Sequence, residues 1–598
     1  MNARWVRCLG NAAGWLAAFA LPLGWLLADE PAERTREQVR EALQREVYGL
    51  PAEREQLLAA ASAADPQANL PRWYQGQIQT ASGAWRSVDK PTAAAEGRLY
   101  REYAALRSEK LDNAESHKAL ADWCRKHELL EQERAHLIRS LTLEPNQLEL
   151  RKRLNLVKVG NQWYEPQVVE REERRQRAAK EAYEHWFPLL AKLAPQLSSP
   201  DEKKRSAARA QVLAVREIGA LPVLQSVIGS RGEEEQLLVL KVAGGLPELD
   251  ATRLITWLAV DSPAEKVREL ATHLLKSREV TDFAPLLVAE LYSPIETKVE
   301  SKVLSNGSVA LRRSFAREGA DHVELFVSDA RFDPLISPLN RSNDLLINLM
   351  QRTDVAQRGA NFATATSEQT VAEQNRWTQL RNERITAALV ATTGANLPAK
   401  PDAWWQWWGE LNEVEQPNGK SVVARYRFNQ VDAIDRNGRI EVTEVRLAVS
   451  CFNAGTPVWT DQGPIAIERI RIGDLVLARD VETGELAYKP VLLTTVRPKR
   501  QMTRFSAGSE TIQATGGHLF WVSGSGWVRA KELQPGQVLH GASAPANVAN
   551  VEQGIVAESY NLVVDEFHNY FVGQQKLLAH DNTPRRPTRM IVPGLPAE

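Results

Sequence analysis

Four apolar phrases, LLAKLAPQL, ALPVLQSVI, TRLITWLAV and FAPLLVAEL, recur between Trp186 and Lys302 with a period of about 31 residues. The second is followed by another amphipathic stretch, EEEQLLVLKVAGGL, so the unit reads as a pair of helices sharing one apolar face. One pair cannot bury that face alone, so successive pairs must stack along a common apolar seam. An irregular helical bundle is the alternative. Neither needs a metal or a disulfide framework: 43% of the 598 residues are hydrophobic, 25% are charged, and the cysteines are only Cys8, Cys124 and Cys451.

The stacked phrases resemble a short HEAT-like α-solenoid, and the sequence predicts such repeats over 186–340. Ahead of it, 33–180 reads as a charged helical region. There HKALADWCRKHELLEQERAHLIRSLTLEPNQLELRKRL resembles one tetratricopeptide unit, with Cys124 as a helix-packing residue. Solenoid faces suit a protein partner, which nothing in the sequence names. A helical linker over 341–420 carries Trp404, Trp405, Trp407 and Trp408, read as a packing staple. A β-hairpin lead-in is expected over 421–450 around Asn437-Gly438. A calcium loop over Asp435, Asn437, Gly438, Ile440 and Glu444 is the weaker reading, because Ala433 stands where the first carboxylate is needed.

At the start, Arg4 and Arg7 precede an uncharged apolar run, and the small Ala28 precedes Asp29. That is the layout of a secretory signal peptide over 1–28, with export to the periplasm, cell surface or medium. An uncleaved N-terminal membrane anchor is the alternative. The formal net charge of −1, with well-mixed signs, leaves no electrostatic footprint for nucleic acid or for an anionic membrane.

From Cys451 the pattern changes to short β-branched runs between Gly, Pro and Asp turns, as in PIAIERIRIGDLVLARDVETGELAYKPVLL. This predicts an all-β unit. Four blocks within it, CFNAGTPVWT, IERIRIGDLVLARD, TIQATGGHLFWV and YNLVVDEFHNYFVGQQKLLAHDN, resemble in order those of the Hint (hedgehog/intein) family. The resemblance spans about Ser450 to Thr583 and makes the fold class multidomain: an all-α N-terminal region followed by an all-β Hint domain over 451–582.

The resemblance implies self-processing in cis, with the chain's own backbone as substrate and no cofactor or metal. Cys451 would attack the carbonyl of Ser450 and convert the peptide bond into a thioester; a thiol suits this because its thiolate is accessible near neutral pH and strongly nucleophilic. Thr515-Gly516-Gly517-His518 matches the family's Thr-x-x-His motif, with His518 as general acid and Thr515 as the orienting hydroxyl. At the far end the Asn582 amide would attack its own carbonyl, helped by His580 and His568, with Thr583 a permitted splicing acceptor. One departure stands out. The chain reads His580-Asp581-Asn582, with a carboxylate where the family usually has the helper histidine, so C-terminal cleavage is less secure than the step at Cys451. The segment 583–598, TPRRPTRMIVPGLPAE, is expected to be a disordered tail. A helical-repeat scaffold with an inert Hint-like β module is the rival function.

Overall fold

The computed structural model describes residues 30–79, 83–90, 97–160, 162–333, 345–412, 421–429, 438–440, 451–583, 585 and 588–597. The signal-peptide reading, Ser450, and Asp435, Asn437 and Glu444 of the calcium alternative lie outside these residues. The chain divides into two compact units. One combines Met1–Glu109, Phe452–Asp581 and Thr588–Glu598; the other combines Lys110–Cys451 and Asn582–Pro587.

The second unit begins with two packed helices, Ala114–Lys126 and Leu130–Leu143. Asn113 caps the first, its side chain accepting the Ser116 N–H at 2.8 Å, and Cys124 is buried on the same helix. A long helix, Pro166–Leu193, leads into Glu202–Leu213, Glu233–Gly244, Leu249–Asp261, Glu265–Leu275 and Val280–Ala289. Their inner faces form one apolar cluster that takes in all four recurring phrases, through Leu190, Leu224, Ile255 and Phe283. Helix Pro401–Asn412 joins the same cluster. Trp404 is fully buried there, its Nε1–H donating to Pro398 O at 3.1 Å, and Trp405, Trp407 and Trp408 pack around it.

The helical run stops earlier than the repeat reading expected. Residues 296–332 form three antiparallel strands, Glu296–Val303, Val309–Glu318 and His322–Phe332, where helices were expected up to residue 340. The cause is local and was legible: Asn306-Gly307 sits between alternating runs, and Gly307 takes the positive φ of +83° that such a turn requires. After the helix Leu345–Thr393, strand Ser421–Asn429 returns parallel to His322–Phe332, and Gly438–Ile440 pairs antiparallel with it. Ala424 pairs with Ile440 and Tyr426 with Gly438, so Gly438 opens a strand and is not the turn residue that the sequence predicted. The pair extends the sheet of the helical region into five strands.

In the first unit the region after Cys451 forms a twelve-stranded sheet that closes on itself where Val458 pairs with Val572. Two long strands, Leu486–Ala507 and Ala546–Val564, run through it, paired with four register shifts that let them bend around the core. That core includes Phe452, Phe505, Phe520, Leu562 and Tyr570.

The same unit contains helices Glu30–Val47, Pro51–Ala64, Asn69–Tyr74 and Arg98–Ser108. Ile78 and Val88 share an apolar cluster with Leu477, Trp521 and Phe571, while Val39, Leu43, Leu58 and Tyr74 share another with Val592 and Leu595. Tail residues expected to be disordered thus form the strands Met590–Val592 and Leu595–Pro596. They hold because Val592 and Leu595 supply buried apolar surface and the Tyr74 hydroxyl donates to Pro593 O.

Between these elements lies a buried polar cluster. Glu46 pairs with Arg54 Nε at 2.6 Å through Oε2, and its Oε1 accepts from Ser523 Oγ and from His540 Nδ1, each at 2.6 Å. Burial alone would push the Glu46 carboxyl up, but His540, Arg54 and Ser523 outweigh it and hold the group well below the usual carboxylate range. Burial lowers His540 in turn. The arrangement is an ionised Glu46 held between the Arg54 guanidinium on one oxygen and the Ser523 hydroxyl and His540 Nδ1–H on the other.

Asp461 has the opposite environment. It is buried, its Oδ1 has no hydrogen-bond partner, and burial followed by the nearby Asp474 pushes its carboxyl up to about 7. Because the folded value exceeds that of an unfolded Asp, the native state is favoured while the group is protonated, and that advantage drains away as pH rises from about 4 to about 7. Asp461→Asn is therefore expected to stabilise the protein more at pH 8 than at pH 4, by at most roughly 4 kcal/mol at about 1.4 kcal/mol per unit. Urea titrations at the two pH values measure this, and an equal effect at both would refute it.

Candidate active site

Cys451 is buried, and its neighbour Phe452 opens the strand Phe452–Asn453. Phe452 pairs on one side with Ala514 and on the other with Tyr560. Ala514 immediately precedes Thr515, the last residue of strand Glu510–Thr515. The chain then turns through Gly516 and Gly517 and is closed by the His518 N–H donating to Thr515 O at 3.0 Å. Two further bonds hold the turn: Lys531 N–H to Gly516 O at 3.0 Å and Ala530 N–H to His518 O at 2.8 Å. Thr515 and the His518 ring are both buried, and the ring lies 4.0 Å from the Phe452 ring, centroid to centroid. The histidine is thus fixed on the side chain of the residue that follows Cys451.

The other end is built by a hairpin of Asn569–Val572 and Leu577–His580, with Asn569 opposite His580. The loop before it carries Glu566 and His568 at φ +58° and +54°, a region that non-glycine residues seldom occupy. Such strain persists only where surrounding bonds hold it, and here the Asp581 N–H donates to His568 O at 3.0 Å. The Asp581 carboxylate is buried. Its Oδ2 accepts the Val564 N–H at 2.9 Å, and it lies 3.6 Å from Nδ1 of both His568 and His580. That separation is an ion-pair distance, longer than a hydrogen bond.

His580 donates its Nδ1–H to the carbonyl oxygen of Asp581 at 3.0 Å, and its ring stands edge-on to Trp527. Asn582 is buried and Thr583 half-buried. The sequence marked Asp581 only as a departure, whereas the structure makes it the acidic centre between the two histidines. The signal was present in the spacing, since a carboxylate directly after a strand-end histidine, and buried with it, has to find donors. Nothing local marked His540 or Glu46, whose partners are 494 residues apart in sequence. Among the described residues, no group of three or more His, Cys, Asp or Glu is arranged to hold a metal ion.

Residues 458–582 match the pretoxin HINT domain family. Among solved structures, the chain is similar to a bacterial intein-like domain from Clostridium thermocellum, at 38% identity over 22% of this chain and 98% of that one, with a TM-score of 0.22. It is also similar to a DnaB intein from Synechocystis sp. PCC 6803, at 18% identity over 22% of this chain and 99% of that one, with a TM-score of 0.21. No curated protein matches. The family match begins after Cys451 and the strand Phe452–Asn453; it covers the closed sheet from Val458 on, the Thr515 to His518 turn and the Asp581 centre, and residues 458–582 of this chain form a Hint domain of the pretoxin kind, a self-processing class of domain.

Proposed function

We propose that this domain cuts its own chain between Ser450 and Cys451, and that the chain carrying it is exported. The Cys451 thiolate attacks the Ser450 carbonyl carbon, the C–N bond breaks, and the freed Cys451 amine takes a proton from His518. The product is a thioester between Ser450 and the Cys451 sulfur. Water or an external thiol then takes over the acyl group, leaving Ser450 as a carboxylate or a new thioester and Cys451 as a free N-terminal thiol. The observation that carries this reading is the fixed His518 ring on Phe452, beside the strand pairing that ends at Thr515.

The Asn582 step has weaker support. Cyclisation needs the Asn582 side-chain nitrogen to attack its own carbonyl and release the Thr583 amine, so a helper should donate to that carbonyl. His580 donates instead to the carbonyl of Asp581, one peptide upstream. N-terminal cleavage should therefore dominate.

Intact mass of the purified chain, with and without added thiol at neutral pH, tests the proposal. Fragments ending at Ser450 and beginning at Cys451 are expected, formed faster with thiol, and the same masses show whether the mature start follows Ala28. Ser450 joined to Thr583 would mean splicing, and a single unchanged mass in thiol would leave the inert scaffold.

A further inference from the structure

We infer that residues 30–109 are a clasp that keeps the N-terminal product bound to the Hint domain after the Ser450–Cys451 bond is cut, so that processing yields a two-chain complex. The inference draws its biological meaning from the cleavage proposed above, but its physical basis is independent of that chemistry. It rests on contacts within one compact unit, between stretches that lie on opposite sides of the cut in sequence.

Three kinds of contact make the clasp. The first is apolar: Ile78 and Val88 are buried with Trp521, Phe571 and Leu578, so these two parts of the chain share a core. The second is polar and internal. Glu46 takes Ser523 and His540 from the Hint side, Arg54 donates to Ser543 O at 2.9 Å, and Arg479 donates to Trp73 O at 3.0 Å while its guanidinium covers the Tyr74 ring at 4.8 Å. Separation would return these groups to water, so their pairing fixes the register of the clasp while the apolar core supplies most of its strength. At the edge, Arg107 donates to Ile472 O at 2.8 Å and to Asp474 Oδ1 at 2.6 Å.

The third is steric fit. A Cβ placed on Gly484 would lie 2.1 Å from the Tyr74 hydroxyl oxygen, and one on Gly76 would lie 2.1 Å from Ser543 Oγ. Both glycines have positive φ, so the backbone there suits close approach and resists side chains. The strands after Thr588 lie on the same clasp through Tyr74, Val592 and Leu595. Residues 30–109 are accordingly held on the domain, and the chain continuous with them up to Ser450 is not set free by the cut.

The test is to produce the whole chain as two co-expressed polypeptides, 1–450 and 451–598, with an affinity tag on the first and Cys451→Ala in the second. The expected result is one-to-one recovery of both pieces in native buffer, at the mass of the intact protein, with separation only in denaturant. Recovery of the first piece without the second overturns the inference. Glu46→Ala is expected to weaken the pair at least a hundredfold in Kd, because it leaves Arg54 buried without its carboxylate. Arg107→Ala, a milder change at the edge, should weaken it roughly tenfold. Binding that both variants leave unchanged would also refute the clasp. Since Cys451 is absent from these pieces, the clasp can stand while the cleavage reading fails, and the reverse.

Discussion

Cys451→Ala is expected to leave the full-length chain as a single mass through days of incubation with thiol, under conditions in which the wild-type chain resolves into fragments ending at Ser450 and beginning at Cys451. The sulfur is the only atom in the proposed sequence that can form the acyl intermediate, so its loss removes the pathway outright. A thiolate is intrinsically very nucleophilic, and each molecule needs to react only once. Cys451→Ser keeps the shape but offers a hydroxyl that hardly ionises, and cleavage should fall by orders of magnitude. The structural cost of the alanine is small, about 1 kcal/mol for one buried sulfur-sized group. A wild-type-like urea midpoint would show the loss to be chemical, and equal cleavage in wild type and Cys451→Ala would end the autoprocessing proposal.

His518→Ala should slow the cut by roughly 10²- to 10⁴-fold, the range usual for losing a positioned proton donor. The complication is packing, because the ring is fully buried and lies 4.0 Å from the Phe452 ring. Its removal should cost about 2–4 kcal/mol of stability by the cavity it leaves. Two readouts separate the roles. Free imidazole should restore part of the rate to the folded variant, and the fall in rate at high pH, where an acid must lose its proton, should vanish. A variant that is merely unstable would show neither effect.

How much of this could be read from residues differs from one part to another. The closed β-domain was legible because its turns and blocks are local signals, and the Thr515-Gly516-Gly517-His518 turn is built from neighbours in sequence. The apolar phrases found their common core for the same reason. The sheet at 296–332 was missed although Asn306-Gly307 announced it, because helical periodicity was carried past its last instance at Leu291. The Glu46 cluster and the ordered tail lay beyond reach. Glu46 reads as one more charge on an amphipathic helix, and Val592 and Leu595 as stray hydrophobes in a Pro/Arg-rich end, until the fold brings both to the same place.

The shared core of 30–109 and the closed sheet also governs timing. Arg54 meets the Ser543 carbonyl across 489 residues of chain. At synthesis rates of about 5–20 residues per second, the early helices wait on the order of 25–100 s for the residues they pack against. Loop-closure entropy grows only slowly with such a separation, so the delay is kinetic more than thermodynamic. Until then Glu46 lacks Ser523 and His540, and the proposed cut would likewise wait for the His518 turn, which comes after Cys451 in the chain. The early helices of this chain are therefore held back, during synthesis, for strands made hundreds of residues later.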